Sequence, residues 1–186
     1  MHVDKHCVKM ILEYAQLLST AHRVCDGTET QALSASGRRQ KVWKLKDADM
    51  NSLLYKATHM NHPSAIWARA SYKNYVWLYT LLHYLCKEYT YRYGKIHKVE
   101  ACGLLHKLYL PPASLDMKCR REFTEPTPAM PDEYKVSGDS IQSYRNYYVG
   151  AKSGLAKWKE RSTPDWFTSM LHTNEAFNEG VNYATI

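Results

Sequence analysis

The chain has 186 residues, 45% hydrophobic and 23% charged, the balance of a folded domain and not of a disordered segment. Lys and Arg number 25 against 18 Asp and Glu, and the resulting net charge of +7 favours polyanionic partners, nucleic acid first. No apolar run reaches the roughly 18 to 20 residues that span a bilayer, and no signal-peptide core is visible, so membrane and secreted classes are excluded and a cytoplasmic protein is expected.

In chain order, Asp4 is placed to cap a first helix running to about Ala21, with Cys7, Ile11, Tyr14, Leu18 and Ala21 at helical spacing. Residues 26–46 are polar, rich in Gly, Ser and Thr, and carry Arg38, Arg39, Lys41, Lys44 and Lys46 around Trp43. Without a clean period they read as a basic loop or arm. A short helical segment ends before His59, and Pro63 opens another that carries Ile66, Trp67 and Arg69. Ser71 caps the clearest helix, whose Tyr75, Leu78, Tyr79, Leu82, Leu85, Cys86 and Tyr89 form one apolar face and which Gly94 stops. Residues 96–108 predict a further helix ended by Pro111-Pro112, and the proline-rich stretch 125–131 is a connecting loop. An amphipathic helix with Ile141, Tyr144, Tyr148, Ala151, Leu155 and Trp158 follows, then a short last helix from Pro164. The expectation is an all-α protein: one compact helical bundle over residues 1–173 with long connecting loops, and a weakly held tail over 174–186. The five cysteines, odd in number and without a C-x-x-C pair, read as reduced thiols.

The first helix carries the candidate chemistry. His6, Lys9, Glu13 and Gln16 stack into one polar stripe opposite its apolar face. An imidazole, an amine and a carboxylate on one rigid face supply a proton donor, a nucleophile and a general base. The plainer alternative is a solvated helix face with a Lys9–Glu13 pair worth a few tenths of a kcal/mol.

The start Asp4-Lys5-His6, with Glu13 and Gln16 on the same helix, resembles the phage pyrimidine-dimer DNA glycosylases. Asn61-His62-Pro63 is similar to a segment of their bacterial members, and Arg161-Ser162-Thr163-Pro164-Asp165-Trp166-Phe167 to their C-terminal aromatic cluster. The phrases Asp4-Lys5-His6…Lys9-Met10-Ile11-Leu12-Glu13 and Glu88-Tyr89-Thr90-Tyr91-Arg92-Tyr93-Gly94-Lys95 also resemble an uncharacterised phage protein family, a likeness that brings no activity with it. The glycosylase resemblance implies a small, basic, all-α DNA-repair protein of an infected host cell that needs no cofactor. In that family the α-amine of an N-terminal threonine attacks C1′ and a glutamate assists. Here Met1-His2 stands at the start and Gln16 matches a family arginine.

Two mechanisms do without that threonine. Glu13 as general base for water attack on C1′ gives a monofunctional N-glycosidase, a carboxylate suiting an oxocarbenium-like transition state. Lys9 as Schiff-base nucleophile gives a lyase as well, provided its pKa is depressed. The expected partner is DNA, duplex first and with a base rotated out of the stack, or else a free nucleotide. The rival is a non-catalytic binder that shields DNA or sequesters a host nucleotide signal.

Phosphate contacts are expected from Arg38, Arg39 and Lys41 in the basic loop, from His62 and Arg69 at a helix start, from Arg92 and Lys95 at the end of the central helix, and from Arg145 among Tyr144, Tyr147 and Tyr148. The alternatives are a turn role for His62, a carboxylate partner for Arg92, and ordinary packing for the helix of Arg145. His59, His62, His97, His106 and Cys102 lack a recognisable ligand spacing, so no metal is expected. There is no phosphate-binding glycine loop, dinucleotide fingerprint, nucleophile elbow or calcium loop.

Overall fold

The computed structural model describes residues 2–118 and 122–172. The elements run α1 (Asp4–Asp26), β1 (Thr28–Leu33), β2 (Arg39–Lys44), α2 (Ala48–Leu53), α3 (Pro63–Ala68), α4 (Tyr72–Tyr93), α5 (Lys98–Ala101), α6 (Leu104–Lys107), α7 (Ala113–Lys118), α8 (Ser140–Ala151) and a helix α9 over residues 165–172. Two compact units emerge, Cys7–Thr127 and a second made of Met1–His6 with Pro128–Ile186. The tail expected from residue 174 lies outside the described residues.

The larger unit is built on α1 and α4, the two longest helices. Cys7, Ile11, Ala15 and Leu18 are fully buried on one side of α1, and Tyr75, Leu78, Leu82, Leu85 and Cys86 are buried along α4. Burial of such stripes, at about 25 cal/mol per Å2 of apolar surface, is the main term holding helices of this kind together. The caps of α4 fall where the sequence puts them. Ser71 accepts the amide of Asn74, and Gly94 adopts φ +63° while its N–H bonds Thr90 O at 2.8 Å. Buried Asn74 donates to Trp67 O and Thr124 Oγ1 and accepts from Thr124 N, which fastens the segment around residue 124 to α4.

The all-α expectation is overturned. Residues 26–46 hold an antiparallel hairpin, in register from Thr28 opposite Lys44 to Leu33 opposite Arg39. Its turn is closed by Ser34 N–H to Arg38 O at 2.8 Å and by Gly37 at φ +76°. Thr30, Ala32 and Val42 face one side and are half-buried, while the cations project into solvent. A polar hairpin of this kind offers little hydrophobic period, which is why it reads as a loop. The single helix expected over 96–108 is likewise two short helices, parted at Cys102-Gly103, where Gly103 takes φ +81°. Leu155 and Trp158 lie beyond the end of α8.

The smaller unit has its own core of Val3, Tyr148, Val149, Trp158 and Phe167, with Trp158, Trp166 and Phe167 meeting edge to face. The first turn of α1 is held here: Asp4 N–H bonds Lys157 O at 2.8 Å, and the Asp4 carboxylate accepts the Lys159 amide at 2.9 and 3.0 Å. Among the described residues no helix is long and apolar enough to cross a membrane.

Candidate functional site

The polar stripe of α1 is real, and its members meet different partners. Lys9 Nζ lies 2.9 Å from Glu13 Oε1, with the two side chains 68% and 39% exposed. An ion pair in that much water contributes a few tenths of a kcal/mol. Gln16 is half-buried one turn further on. His6 belongs to the smaller unit, where its Nδ1 is 2.6 Å from the hydroxyl of Tyr148. Burial pushes that phenol up to about 12, so Tyr148 stays a neutral hydrogen-bonding partner at neutral pH.

The basic residues sort into exposed and structural ones. Arg38, Arg39 and Lys41 project from the hairpin, and Lys41 Nζ reaches Glu29 Oε1 on the facing strand at 2.8 Å. Arg38, Arg39, Lys44 and Lys46 carry no ion pair among the described residues, and all four are exposed. Lys95 is exposed just beyond the end of α4. Arg145 sets its guanidinium 5.4 Å from the ring centre of Trp166 in the smaller unit, a cation–π contact.

One of the expected phosphate ligands is corrected. Arg92 is 1% exposed and donates from Nε to Glu88 Oε1 at 2.8 Å, so it is a core cation and not a surface one. His62 is the N-cap of α3, its Nδ1 accepting the Ser64 amide at 3.2 Å, the turn role expected as the alternative, while the ring stays exposed and keeps Nε2 as a donor. His97 caps α5 in the same way, through the Val99 amide. Arg69 sits at the C-cap of α3, half-buried, and burial draws its pKa down.

Sequence reasoning misses the polar groups at the far end of α1. Arg23, 6% exposed, donates to the carbonyls of Trp43, Asn51, Leu54 and Tyr55 and to Asn51 Oδ1, all within 3.0 Å. Beside it, His22 Nε2 is 2.9 Å from the hydroxyl of Tyr75, which donates to Leu108 O. Burial lowers the His22 pKa to about 4, against the opposing pull of Asp26 and of a hydrogen bond with the Leu110 backbone. Burial also works to raise the Asp26 pKa, but bonds from Ser114 and Ala113 outweigh it and hold the carboxylate below its usual range.

Also missed is the solvent side of α4, where Trp77, Tyr84 and Tyr91 are 40, 63 and 56% exposed. Two shallow concavities of about 360 Å3 each lie on the larger unit. One is bounded by Tyr72, Lys73, Val76, Trp77, Thr80 and Phe123, the other by Gln31, Ala32, Leu33 and Arg39. Neither is lined by Lys9 or Glu13.

Set against protein-family models, curated proteins and solved structures, the chain matches none. The likeness to pyrimidine-dimer glycosylases therefore rests on the sequence phrases alone.

Proposed function

We propose that the chain is a nucleic-acid-binding protein that grips the phosphate backbone with its basic hairpin. The observation that carries this is the hairpin itself: a ribbon half-buried along one side on which Arg38, Arg39, Lys41 and Lys44 are exposed, with exposed Lys46 just beyond it, and of these Lys41 alone meets a carboxylate among the described residues. Cations spaced along a short ribbon neutralise successive phosphates and release their counterions, and the net charge of +7 adds a long-range pull. Such contacts hold duplex or single strand without reading sequence.

Binding is measured as affinity against salt, for the wild type and for Arg38→Ala with Arg39→Ala and Lys41→Ala. The expected result is a steep wild-type slope that falls by about 2 to 3 units on duplex DNA in the triple variant, near 0.9 for each phosphate that is no longer neutralised. An unchanged slope removes the hairpin from the interface. N-glycosidase chemistry at Glu13 is the rival. It is supported by the first-helix phrases and opposed by the solvated Lys9–Glu13 pair, since a general base tuned for catalysis is usually desolvated. Alkali-labile breaks in ultraviolet-irradiated duplex that vanish in Glu13→Gln would decide for that rival. Breaks without alkali would point to Lys9 instead.

A further inference from the structure

The outer face of α4 repeats a pattern that its inner face does not explain. Trp77, Tyr84 and Tyr91 recur every seven residues, with Lys73 ahead of them and Thr80 and Lys87 between them, so that a stripe with 3–4 spacing runs the length of the helix. All six are exposed. Lys95 is exposed just past the C-cap. Successive rings stand about 10 Å apart along the axis, at 1.5 Å per residue.

Two of these rings have defined neighbours. Trp77 packs edge to face on Trp67, with centroids 5.7 Å apart, and lies 6.0 Å from Phe123. Lys87 Nζ lies 5.6 Å from the Tyr84 ring centre. Lys73 reaches Glu122 beside the concavity under Trp77. A row of exposed large rings on one helix face marks an interaction surface.

We infer that this face binds single-stranded nucleic acid, with bases stacked on Trp77, Tyr84 and Tyr91 and phosphates drawn to Lys87 and Lys95. The charge on the stripe chooses the occupant. A second copy of the chain would meet the same seam and set lysine against lysine, which is destabilising at helix–helix contacts. A polyanion whose bases have flat faces satisfies both halves of the pattern at once, and stacking of this kind contributes about 1 to 3 kcal/mol per base. Duplex DNA keeps its base faces stacked on one another and gains only the lysines. The inference extends the proposed nucleic-acid binding and rests on it.

The test compares a thymidine oligonucleotide with a duplex of the same length, on the full chain, by change in tryptophan emission and by gel shift. Tyr84→Ala with Tyr91→Ala is expected to lose about 30-fold or more in oligonucleotide affinity, while duplex affinity holds. Lys87→Gln with Lys95→Gln, which leaves the rings in place, should lower the single-strand salt slope by about 1.4. Helix content by circular dichroism confirms that each variant is folded. If the folded ring variant binds the oligonucleotide like the wild type, the α4 face is not the site, whatever the hairpin does. If it loses the oligonucleotide while the hairpin variant keeps its full duplex slope, the α4 face stands and the hairpin assignment falls. A wild type that sediments as a dimer, is dissociated by the ring substitutions and does not bind the oligonucleotide also overturns the inference.

Discussion

The two ends of α1 carry polar side chains in opposite circumstances. Near the start, Lys9 and Glu13 face water and pair with each other along the helix. At the far end, His22 and Arg23 are 4 and 6% exposed, and their partners come from residues 20 or more positions away in the chain. The first pair looks like chemistry in the sequence and is energetically slight. The second group looks like the frayed end of a helix and binds the larger unit together. Desolvation, more than the identity of the side chain, separates them.

The contrast can be broken from its strong side first. Arg23→Met keeps most of the volume but leaves four buried or half-buried carbonyls without their donor. It is expected to destabilise the fold by about 4 kcal/mol in urea unfolding. A loss under about 1 kcal/mol would mean that water replaces the guanidinium and that the network is not dry.

Acid acts on the same end. The His22 pKa is about 4 when folded, below the 6.5 of the unfolded chain, so the unfolded state takes up the proton first. Stability is therefore full above about pH 6.5 and declines as the pH falls toward 4, by about 3 kcal/mol at most from this residue. His97, whose pKa burial also lowers, drains stability in the same direction. Denaturant midpoints across this range check the sign. In His22→Phe the slope should flatten, and if it stays as steep the titrating group lies elsewhere.

Smaller effects follow. Asp26 accepts the amides of Ala113 and Ser114 at 2.8 and 3.0 Å, at the first turn of α7, and Asp26→Ala should cost about 1 kcal/mol, as helix caps do. Lys9→Ala should move stability by only a few tenths of a kcal/mol, with the shift shrinking further in high salt. A salt-resistant loss above 1 kcal/mol would show that the start of α1 is more desolvated than its exposure indicates.

What the sequence made legible follows the same divide. α4 could be read end to end because Ser71, the apolar stripe and Gly94 all signal within one continuous window. The capping of α3 by His62 and the salt bridge of Lys9 with Glu13 are likewise local, so the plain alternatives for those residues were available from spacing. The hairpin was hidden by its own polarity. Yet Ser34-Ala35-Ser36-Gly37 between a Thr-rich and a Val-Trp segment is a turn signal that outweighs the missing apolar alternation. Arg23 could not be found at all, because most of its acceptors are backbone carbonyls and any residue type can supply those. The aromatic-lysine stripe of α4 was readable, but the stronger inward period masked the outward one. For the candidate site, the exposure of Arg38, Arg39 and Lys41 was legible from their polar surroundings, whereas Arg92 was misplaced, because its burial depends on how α4 packs and not on its neighbours in the chain.

The guanidinium of Arg23 also bears on the order of events in folding. Its acceptors lie in β2 and in and just after α2, so the group cannot leave water until both have come to rest against α1. Gly27 tightens the same joint: a side chain there would have its Cβ 2.3 Å from Arg23 O, so the chain turns from helix into hairpin with no slack. The end of α1, the hairpin and α2 are thus expected to open as one cooperative unit, and their slowest amides should share a single opening free energy in native-state hydrogen exchange. An outwardly polar ribbon would then exchange as slowly as the helix that anchors it.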